Sequence, residues 1–393
     1  MGLHAVSAFL KKKHSHLYHK EHLSLFAHQR VYMDITGYLY KYVVVYGTDT
    51  PRWLNALFNL FLQFRKNCVH LIPVFDGKAP DAKLQEQQDR RESRKKQQER
   101  KQTLELALGR YEQNTATSED HGVLQKEMAN ILRKRQRSLM GNKKNEEEEQ
   151  EDEEVEDNEG EVCTKRVKIS LTSQDILELK QLIKSIEKQT SFLTSEDHQL
   201  LRDLMDAVGM TWIQAPSESE AYCCWLVRNG HGTAVVSYDT DCIAHRADII
   251  IFDVDTNTGM LGFVNTEDLM QEWKLTERQL IDFGILVGCD YNPNSRVNKI
   301  GPVGAIKLLQ KHQAIEHIPT LQDITVLKHE LCRSLFDPQY PADVCVKSTD
   351  CSDPQKMRDV CSKLASVRPG IQLHILNEII SINSKKLPVN IIN

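Results

Sequence analysis

The sequence predicts an α/β fold in which a mostly parallel central sheet carries helices on both faces. Short apolar runs of strand length alternate with amphipathic stretches of helical period along most of the chain. Several of the apolar runs end in an acidic residue. The sequence contains no internal repeat. Strands that alternate with helices are typical of parallel sheets, because each crossover helix packs back onto one face of the sheet.

The N-terminal region is predicted to span residues 1–110. "RVYMDI" (30–35) is typical of a strand that ends in an acid, and "PRWLNALFNLFLQFRKN" (51–67) has the apolar spacing of a helix. "VHLIPVFDGKAP" (69–80) is typical of a buried strand that stops at Asp76. These segments supply two strands and one helix of the predicted fold.

A basic stretch follows the second of these strands. Between Lys83 and Lys101 it carries eight basic and four acidic residues. Its composition favours a helix, but no apolar stripe begins before Leu104. A helix without a core-facing stripe either bridges solvent or becomes ordered on a partner.

Residues 111–172 are predicted to form a charged, disordered insert, because their composition is low in complexity and rich in charge. Within it, residues 146–161 hold 12 acidic and no basic side chains. The whole chain has a net charge of −5, so setting this block aside leaves +7 on the remainder. A basic remainder fits a nucleic-acid binder, although solvated surface charge would give the same figure.

The alternation resumes in residues 173–320. Strands are predicted at "TWIQ", "TAVVSYDTD" and "IIIFDV", and helices at "DILELKQLIKSIEKQ", "SEDHQLLRDLMDAVGM", "SESEAYCCWLVRNG", "TERQLIDFGILVGCDY" and "KIGPVGAIKLLQKH". Residues 321–393 form a tail of unclear fold. The ten cysteines contain no C-x-x-C pair, which favours reduced thiols over a zinc module or a disulfide framework.

Four acidic residues lie at or just beyond the C-terminal ends of predicted strands. They are Asp34, Asp76, Asp239 and Asp241. In an open α/β sheet, this edge is where ligands bind. The i, i+2 spacing of Asp239 and Asp241 would point both side chains to one side of an extended chain. Asp290, in a turn after a helix, and the pair Glu218 and Glu220 bring the set to seven.

Each acid taken alone also has a purely structural explanation. Asp76 followed by glycine is a common turn, and Asp239 and Asp241 could equally be turn or N-cap residues. Ser217 to Glu220 matches the capping box S-x-x-E, which on its own favours a helix start over a metal site. In a regular helix, side chains at i and i+2, such as Glu218 and Glu220, point to different sides. The cap and the metal site are therefore compatible only if the two glutamates lie in the terminal turn of the helix, where both can face the sheet edge.

Seven converging carboxylates would repel one another and raise several of their pKa values. Only cations would hold them ionised together. Oxygen ligands without Cys or His nearby select Mg²⁺ or Mn²⁺ over zinc. Two such ions about 4 Å apart can activate a water and stabilise the leaving oxygen of a phosphodiester.

Seven segments together resemble the flap endonuclease/XPG family of structure-specific nucleases. In order they are "MGLHAVSAFL", "VYMDI", "VFDGKAP", "QAPSESEA", "YDTDC", "VGCDY" and "KIGPVGAIKLL". The resemblance implies a PIN-like 5′ nuclease fold with a helical arch and a helix–two-turn–helix DNA-binding element. It also implies that two Mg²⁺ ions, for which Mn²⁺ can substitute, are held by the seven carboxylates. These are Asp34, Asp76, Glu218, Glu220, Asp239, Asp241 and Asp290.

The resemblance also implies roles for other residues. Lys83 and Arg90 fall where the family places basic residues that reach the scissile phosphate from the arch. Tyr40 aligns with an aromatic residue on which a base stacks, and Gly2 with an N-terminal glycine close to the active site. A solvated helix face and a core tyrosine are the alternative explanations for the arch residues and for Tyr40.

The C-terminal half both follows and departs from the family. Gly301 and Gly304 in "KIGPVGAIKLL" would let backbone N–H groups approach a phosphate at a helix N-terminus. The family holds a potassium ion at that loop through backbone oxygens. The preceding segment "YNPNSRVNKI" is longer here than in flap endonucleases, so the resemblance does not extend to that ion. "QLHILNEII" (372–380) has a glutamine but no aromatic pair, so the chain has no clear sliding-clamp motif.

The sequence therefore predicts a Mg²⁺-dependent DNA endonuclease that cleaves branched or flapped DNA by a two-metal mechanism. We also expect a role in DNA replication, repair or recombination, and 5′–3′ exonuclease activity can be part of the function. Two alternatives stay open: an RNA-degrading nuclease on the same scaffold, and a non-catalytic binder of DNA junctions. The acids do not separate the first alternative, since its metal site would be identical.

The expected setting is a monomer that acts in the nucleus. No run of about 18 apolar residues exists, so no membrane span is expected. The basic patches "RKRQR" and "TKRVK" are candidate import signals, though insert charge explains them as well. The unusual insert and the diverged tail are also compatible with a copy from a large DNA virus that acts in a host nucleus.

Overall fold

The computed structural model describes residues 3, 5–47, 51–141, 170–292, 300–319, 321, 324–341, 346–347 and 353–384. The chain divides into two compact units. The first comprises Met1–Asp89 and Ser191–Asn393, and the second comprises Arg90–Thr190. This division differs from the four regions expected from the sequence, because most of the basic stretch and the insert belong to a single unit.

The first unit is built on an eight-stranded sheet. Its strands are β1 (His19–His22), β2 (Arg30–Asp34), β3 (His70–Phe75), β4 (Trp212–Gln214), β5 (Ala234–Val236), β6 (Ile249–Val254), β7 (Met260–Asn265) and β8 (Val346–Lys347). Their order across the sheet is β1-β7-β6-β5-β2-β3-β4-β8. The five strands from β6 to β4 in this order run parallel, and the outer pairings are antiparallel. The predicted mostly parallel sheet is confirmed.

Helices account for most of the remaining described residues. In chain order they are α1 (Val6–Lys13), α2 (Ile35–Tyr46), α3 (Arg52–Lys66), α4 (Leu84–Glu112), α5 (Ser118–Gly141), α6 (Ser173–Thr190), α7 (Ser195–Ala207), α8 (Ser219–Arg228), α9 (Asp241–Ala244), α10 (Thr266–Trp273), α11 (Glu277–Val287), α12 (Pro302–His312), α13 (His329–Phe336), α14 (Pro354–Val367) and α15 (Leu373–Asn383). None of the described helices is both long enough and apolar enough to cross a membrane.

Two apolar clusters lie on opposite faces of the sheet. Consecutive residues of β2 divide between them, with Tyr32 in one and Val31 and Met33 in the other. Successive side chains of a strand point to opposite faces, so each cluster marks one face. The first cluster includes residues of α1, α8 and α11, and the second includes residues of α2, α3 and α7. Helices therefore cover both faces, as the sequence predicts.

The C-terminal tail, whose fold the sequence left unclear, contains three of these helices. Helix α13 contacts α11, while α14 and α15 contact each other and pack against α7 and α3. Leu376, Ile379 and Ile380 of α15 are buried in the second cluster. The Asn55 side chain of α3 donates to the carbonyl oxygen of Gly370 at 2.9 Å. The tail packs against residues that lie far away in the sequence, so no local pattern in the tail predicts its fold.

The second unit has its own small core. Leu124 and Met128, one turn apart on α5, cluster with Leu104 and Leu108 of α4, and the cluster also includes residues of α6. The Arg100 guanidinium and the Glu127 carboxylate form a charge-assisted pair across the same two helices.

Part of the predicted disordered insert is therefore helical. The prediction covered residues 111–172, whereas 118–141 form α5. The high charge of α5 hid its short apolar stripe, which is completed only by the stripe that begins at Leu104. The acidic block 146–161 and the patch "TKRVK" lie outside the described residues.

Gly77 brings the end of β3 against the segment that precedes α8. Its N–H donates to the carbonyl oxygen of Ser217 at 2.6 Å. A Cβ atom at Gly77 would lie 2.2 Å from the carbonyl oxygen of Ala215, and backbone cannot yield as a side chain can. Glycine is thus required at this position, directly after Asp76.

We expect Gly77→Ala to lower the free energy of unfolding by about 1–3 kcal/mol, because the added methyl overpacks a backbone contact. Thermal or urea unfolding measures this change. Gly109→Ala in α4 is the matched control: a Cβ there meets no atom within 4 Å, and alanine should stabilise the helix by roughly 0.5–1 kcal/mol. Equal effects of the two substitutions would contradict the packing argument.

Candidate metal centre

The predicted acids lie where the parallel strands end. Asp34 is the last residue of β2, and Asp76 directly follows β3. Since β2 and β3 are parallel neighbours, these carboxyl ends meet at one edge of the sheet. Glu218 and Glu220 lie at the start of α8, which follows the next strand, β4.

Ser219 joins the first two aspartates. Its Oγ lies 2.7 Å from Asp34 Oδ1 and 2.7 Å from Asp76 Oδ1. Its backbone N–H donates to Asp76 Oδ1 at 2.8 Å. Asp34 also accepts hydrogen bonds from Ser237 Oγ and the N–H of Thr36, each at 3.1 Å. Because a hydroxyl has one proton, Ser219 Oγ can donate to only one carboxylate at a time.

Asp76 supplies the cap that the local pattern assigned to Ser217, so the predicted capping box is wrong. Helix α8 begins at Ser219, with Glu218 at the N-cap position and without a side-chain capping bond. The carboxylate of Asp76 satisfies the first helical N–H instead. Glu218 and Glu220 are therefore not used as local caps.

Both glutamates contact one buried ammonium group. Lys83 Nζ forms an ion pair with Glu218 Oε1 and lies 3.3 Å from Glu220 Oε1 and 3.6 Å from Asp290 Oδ2. The two glutamates thus converge, as a terminal turn allows. Burial alone would lower the pKa of Lys83, but the carboxylates of Glu220, Glu218 and Asp290 raise it well above its ordinary value. Lys83 is 8 % exposed and charged.

Asp239 and Asp241 lie in a turn, which corrects the expectation of an extended chain. Strand β5 ends at Val236, and Asp241 is the first residue of α9. The N–H of Asp241 donates to Asp239 Oδ1 at 3.0 Å, and the N–H of Asp239 donates to Ser237 Oγ at 3.0 Å. Such side-chain bonds to nearby backbone compete with strand pairing and close the turn.

Burial and mutual repulsion favour the protonated forms of several site acids. Burial, followed by the charges of Asp76 and Glu220, raises the pKa of Asp34 to about 7. Burial also raises the pKa of Glu218, with Glu220 adding to the shift and Lys83 opposing it.

The same causes act on the turn acids. Burial, with Glu220 and Asp290, raises the pKa of Asp239 well above its ordinary value. Burial, with Asp239, Glu220 and Asp290, does the same for Asp241. Since Glu220 contributes to each of these shifts and to that of Asp34, it is the electrostatic centre of the site.

The carboxylate of Asp241 is buried without a hydrogen-bond partner among the described residues. Asp241 is 0 % exposed, and within the described part of the chain neither of its carboxylate oxygens has a hydrogen-bond partner. A buried carboxylate without partners is costly unless a cation or a proton neutralises it. All seven donors are oxygens, which is the set that Mg²⁺ and Mn²⁺ prefer.

The arrangement is centred on a lysine and is not a closed ligand shell. Among the residues that the structure describes, no three of the seven acids bring carboxylate oxygens within 4.8 Å of one another. The Lys83 ammonium lies between Glu218, Glu220 and Asp290. A cation that binds these oxygens therefore competes with Lys83.

Tyr291 and His245 belong to the site but were not predicted. Tyr291 OH donates to Glu218 Oε2 at 2.7 Å and lies 3.4 Å from His245 Nε2. Burial, with Lys83 adding to it, lowers the pKa of His245 to about 3, so its ring is neutral. The position of Tyr291 directly after Asp290 is the only sequence signal for it.

The other predicted site residues that the structure describes lie on α2 and α4 and at the start of α12. Tyr40 is 48 % exposed on α2, and Arg90 is exposed on α4 in the second unit. Gly301 is the N-cap residue of α12 and Gly304 lies in its first turn. A Cβ atom would meet nothing within 4 Å at Gly301 and one side-chain atom at 3.8 Å at Gly304, so packing does not require glycine there. Gly2 lies outside the described residues.

Two family models match the chain. The XPG N-terminal domain matches residues 1–97, and the XPG I-region matches residues 209–290. These two ranges contain all seven acids.

Individual proteins agree with this match. The chain is 23 % identical to "Probable RAD2-like endonuclease 369L" of Invertebrate iridescent virus 6, over 86 % of this chain and 79 % of that protein. It is 32 % identical to flap endonuclease 1 of Lachancea thermotolerans, over 34 % of each chain. The catalytic core of Rad2 in complex with a DNA substrate has the same fold, with a TM-score of 0.58 at 12 % identity over 97 % of this chain and 99 % of that one.

We expect Mg²⁺ to stabilise the protein more at about pH 8 than at about pH 6. The pKa of Asp34 is about 7 in the metal-free fold and 3.8 ordinarily. Between these values the folded state binds more protons than the unfolded one, so metal-free stability falls as pH rises. Mg²⁺ replaces those protons. Thermal unfolding with and without Mg²⁺ measures the difference, and a Mg²⁺ shift that is independent of pH would contradict this account.

We expect Lys83→Met to tighten Mg²⁺ binding without DNA, because the substitution removes a competing cation. A like charge at about 4 Å costs roughly 1–4 kcal/mol, so the gain in affinity lies between about fivefold and about a thousandfold. Isothermal titration calorimetry measures it. Lys78→Met, at an exposed lysine in the preceding segment, should leave the affinity nearly unchanged. Weaker Mg²⁺ binding in Lys83→Met would show that Lys83 does not compete with the metal.

Proposed function

Since this chain is a nuclease of the flap endonuclease/XPG family, we propose that it is a Mg²⁺-dependent DNA endonuclease that cleaves 5′ flaps or related junctions. Its role would lie in DNA replication, repair or recombination, with 5′–3′ exonuclease activity on suitable ends. The observation that carries the proposal is the buried Asp241 carboxylate, which has no hydrogen-bond partner among the described residues. It lies within a set of acids that offers oxygen ligands alone.

The proposed mechanism is hydrolysis of a phosphodiester bond at the edge of the sheet. Two bound divalent ions would supply an activated water and stabilise the leaving oxygen. Ser219 keeps Asp34 and Asp76 together, and the Tyr291 hydroxyl orients Glu218. These contacts fix the direction of the carboxylates before substrate arrives, which favours a single productive geometry.

Basic and aromatic residues would hold the DNA. Lys83 already lies at the acids with its ammonium charged, and we propose that it and Arg90 donate to the scissile phosphate. Tyr40 is exposed and would stack on a base, which is worth ~1–3 kcal/mol. Gly301, beside open space, and Gly304 would admit a DNA phosphate to the N-terminus of α12.

A viral origin is included in the proposal. The relatives over most of the chain include RAD2-like endonucleases of Invertebrate iridescent virus 6 and Frog virus 3. We propose that the protein acts as a monomer on DNA in a host nucleus.

We expect Asp239→Asn to lower Mg²⁺-dependent cleavage by about a hundredfold or more, because the substitution removes a charged ligand from a buried site. The assay maps cleavage on 5′-flap, bubble, nicked and Holliday-type DNAs and on single-stranded RNA. Asp359→Asn, on the exposed surface of α14, is the matched control and should cleave like the unsubstituted chain. Unchanged cleavage by Asp239→Asn would overturn the site assignment.

The substrate panel also separates the alternatives. Preferred cleavage of RNA would favour the RNA-degrading nuclease. Binding of junctions without cleavage in either Mg²⁺ or Mn²⁺ would favour the non-catalytic binder. The DNA proposal expects branched DNA to be cut faster than linear duplex and RNA.

A further inference from the structure

Two histidines and a glutamate that do not belong to the set of seven acids lie close together in the first unit. His14 is the C-cap residue of α1, His16 lies in the following 3-10 turn, and Glu272 lies on α10. Glu272 Oε1 is 3.6 Å from His14 Nδ1 and 3.6 Å from His16 Nε2. One ligand atom from each residue lies within 4.8 Å of the other two.

The Nδ1 atom of His14 is the unusual member of this cluster. It is shielded from solvent, and within the described residues it has no hydrogen-bond partner. The His14 ring packs against Phe9 at 4.7 Å and Trp273 at 6.0 Å between ring centroids, which holds its orientation. The Glu272 carboxylate faces this atom at 3.6 Å as an ion-pair partner, too far for a hydrogen bond, so a cation between the two atoms would give each a direct contact.

We propose that His14, His16 and Glu272 bind one Zn²⁺ ion, or a similar divalent ion that prefers imidazole. Two imidazoles and a carboxylate are a common zinc ligand set and leave one position for water. The same set is poor for Mg²⁺, which takes oxygen ligands. The ion would therefore differ in kind from the ions of the carboxylate site.

The geometry is close to what such an ion needs. Tetrahedral bonds of about 2.0–2.1 Å put ligand atoms about 3.4 Å apart. The two measured separations from Glu272 Oε1 are 3.6 Å, and the side chains of His16 and Glu272 are free enough to close on an ion, being 58 % and 43 % exposed.

The electrostatic surroundings allow coordination. Burial lowers the pKa of His14 below its ordinary value against the opposing charge of Glu272, so the ring is neutral at neutral pH, as a ligand must be. The Lys13 ammonium lies close enough to affect His14 and acts against a cation. The C-terminal end of α1 and the Glu272 carboxylate act in its favour.

A metal at this position would clamp α1 to α10. The segment before α1 contacts the catalytic edge, because Thr240 Oγ1 donates to the carbonyl oxygen of Leu3 at 3.3 Å. Thr240 lies between the site acids Asp239 and Asp241. The clamp would therefore steady the N-terminal segment against the turn that carries these two ligands.

The test uses the full chain, stripped of metal and kept in excess Mg²⁺ so that the carboxylate site is saturated. Zn²⁺ is titrated against a competing chelator, and Co²⁺ is used in parallel for its ligand-field spectrum. We expect one Zn²⁺ per chain, and a loss of affinity of about tenfold or more in His16→Gln and in Glu272→Gln, since each removes one of three ligands. Zn²⁺ should raise the thermal midpoint of the unsubstituted chain but not that of His16→Gln or Glu272→Gln.

Two controls keep the site separate from its surroundings. His19→Gln removes a nearby histidine that pairs with Asp268 and should keep the Zn²⁺ site. Asp239→Asn should keep it too, so a failure of the nuclease proposal leaves this one standing. Unaltered Zn²⁺ binding in both His16→Gln and Glu272→Gln, or no binding by the unsubstituted chain at micromolar free Zn²⁺, would overturn the proposal.

Discussion

Carboxylates gathered at one buried sheet edge repel one another, and the rest of the site is arranged around that repulsion. Burial and, after it, charges that include Glu220 raise the pKa of Asp34, Asp239 and Asp241, so these acids are coupled to one another. In the metal-free fold the repulsion is relieved partly by protons and partly by the Lys83 ammonium. In the proposed function the same lysine would contact the scissile phosphate. One residue would thus offset the charge of the carboxylates and contact the substrate.

The fold creates this edge by joining distant pieces of chain. Parallel pairing of β2 with β3 aligns the ends that carry Asp34 and Asp76. The Gly77 turn then presses the end of β3 against the segment before α8, where Asp76 caps the helix through Ser219. If Asp76 holds a metal as proposed, the same side chain links the stability of the fold to the chemistry of the site.

Two kinds of metal chemistry are separated by donor type. The carboxylate edge offers hard oxygen atoms, whereas the His14, His16 and Glu272 cluster offers imidazole nitrogen. Helix α1 connects the two sites, because His14 lies at its C-terminal end and the segment before it contacts Thr240. The two proposed sites would therefore select different ions within one unit and share no ligand.

The sequence by itself determined the α/β class, the strand that ends in Asp34, the strand that ends just before Asp76, and the acid set that the matched XPG ranges contain. Those features are local, because they depend on apolar periodicity and on short motifs. Only the tertiary structure decided that Asp76 rather than Ser217 caps α8, that Lys83 lies among the glutamates, and that the charged α5 has a core. Each of these depends on a partner far along the chain, as with Asp76 and the Ser219 N–H, 143 positions apart. A hydrogen bond or ion pair follows distance in space, which local patterns do not encode.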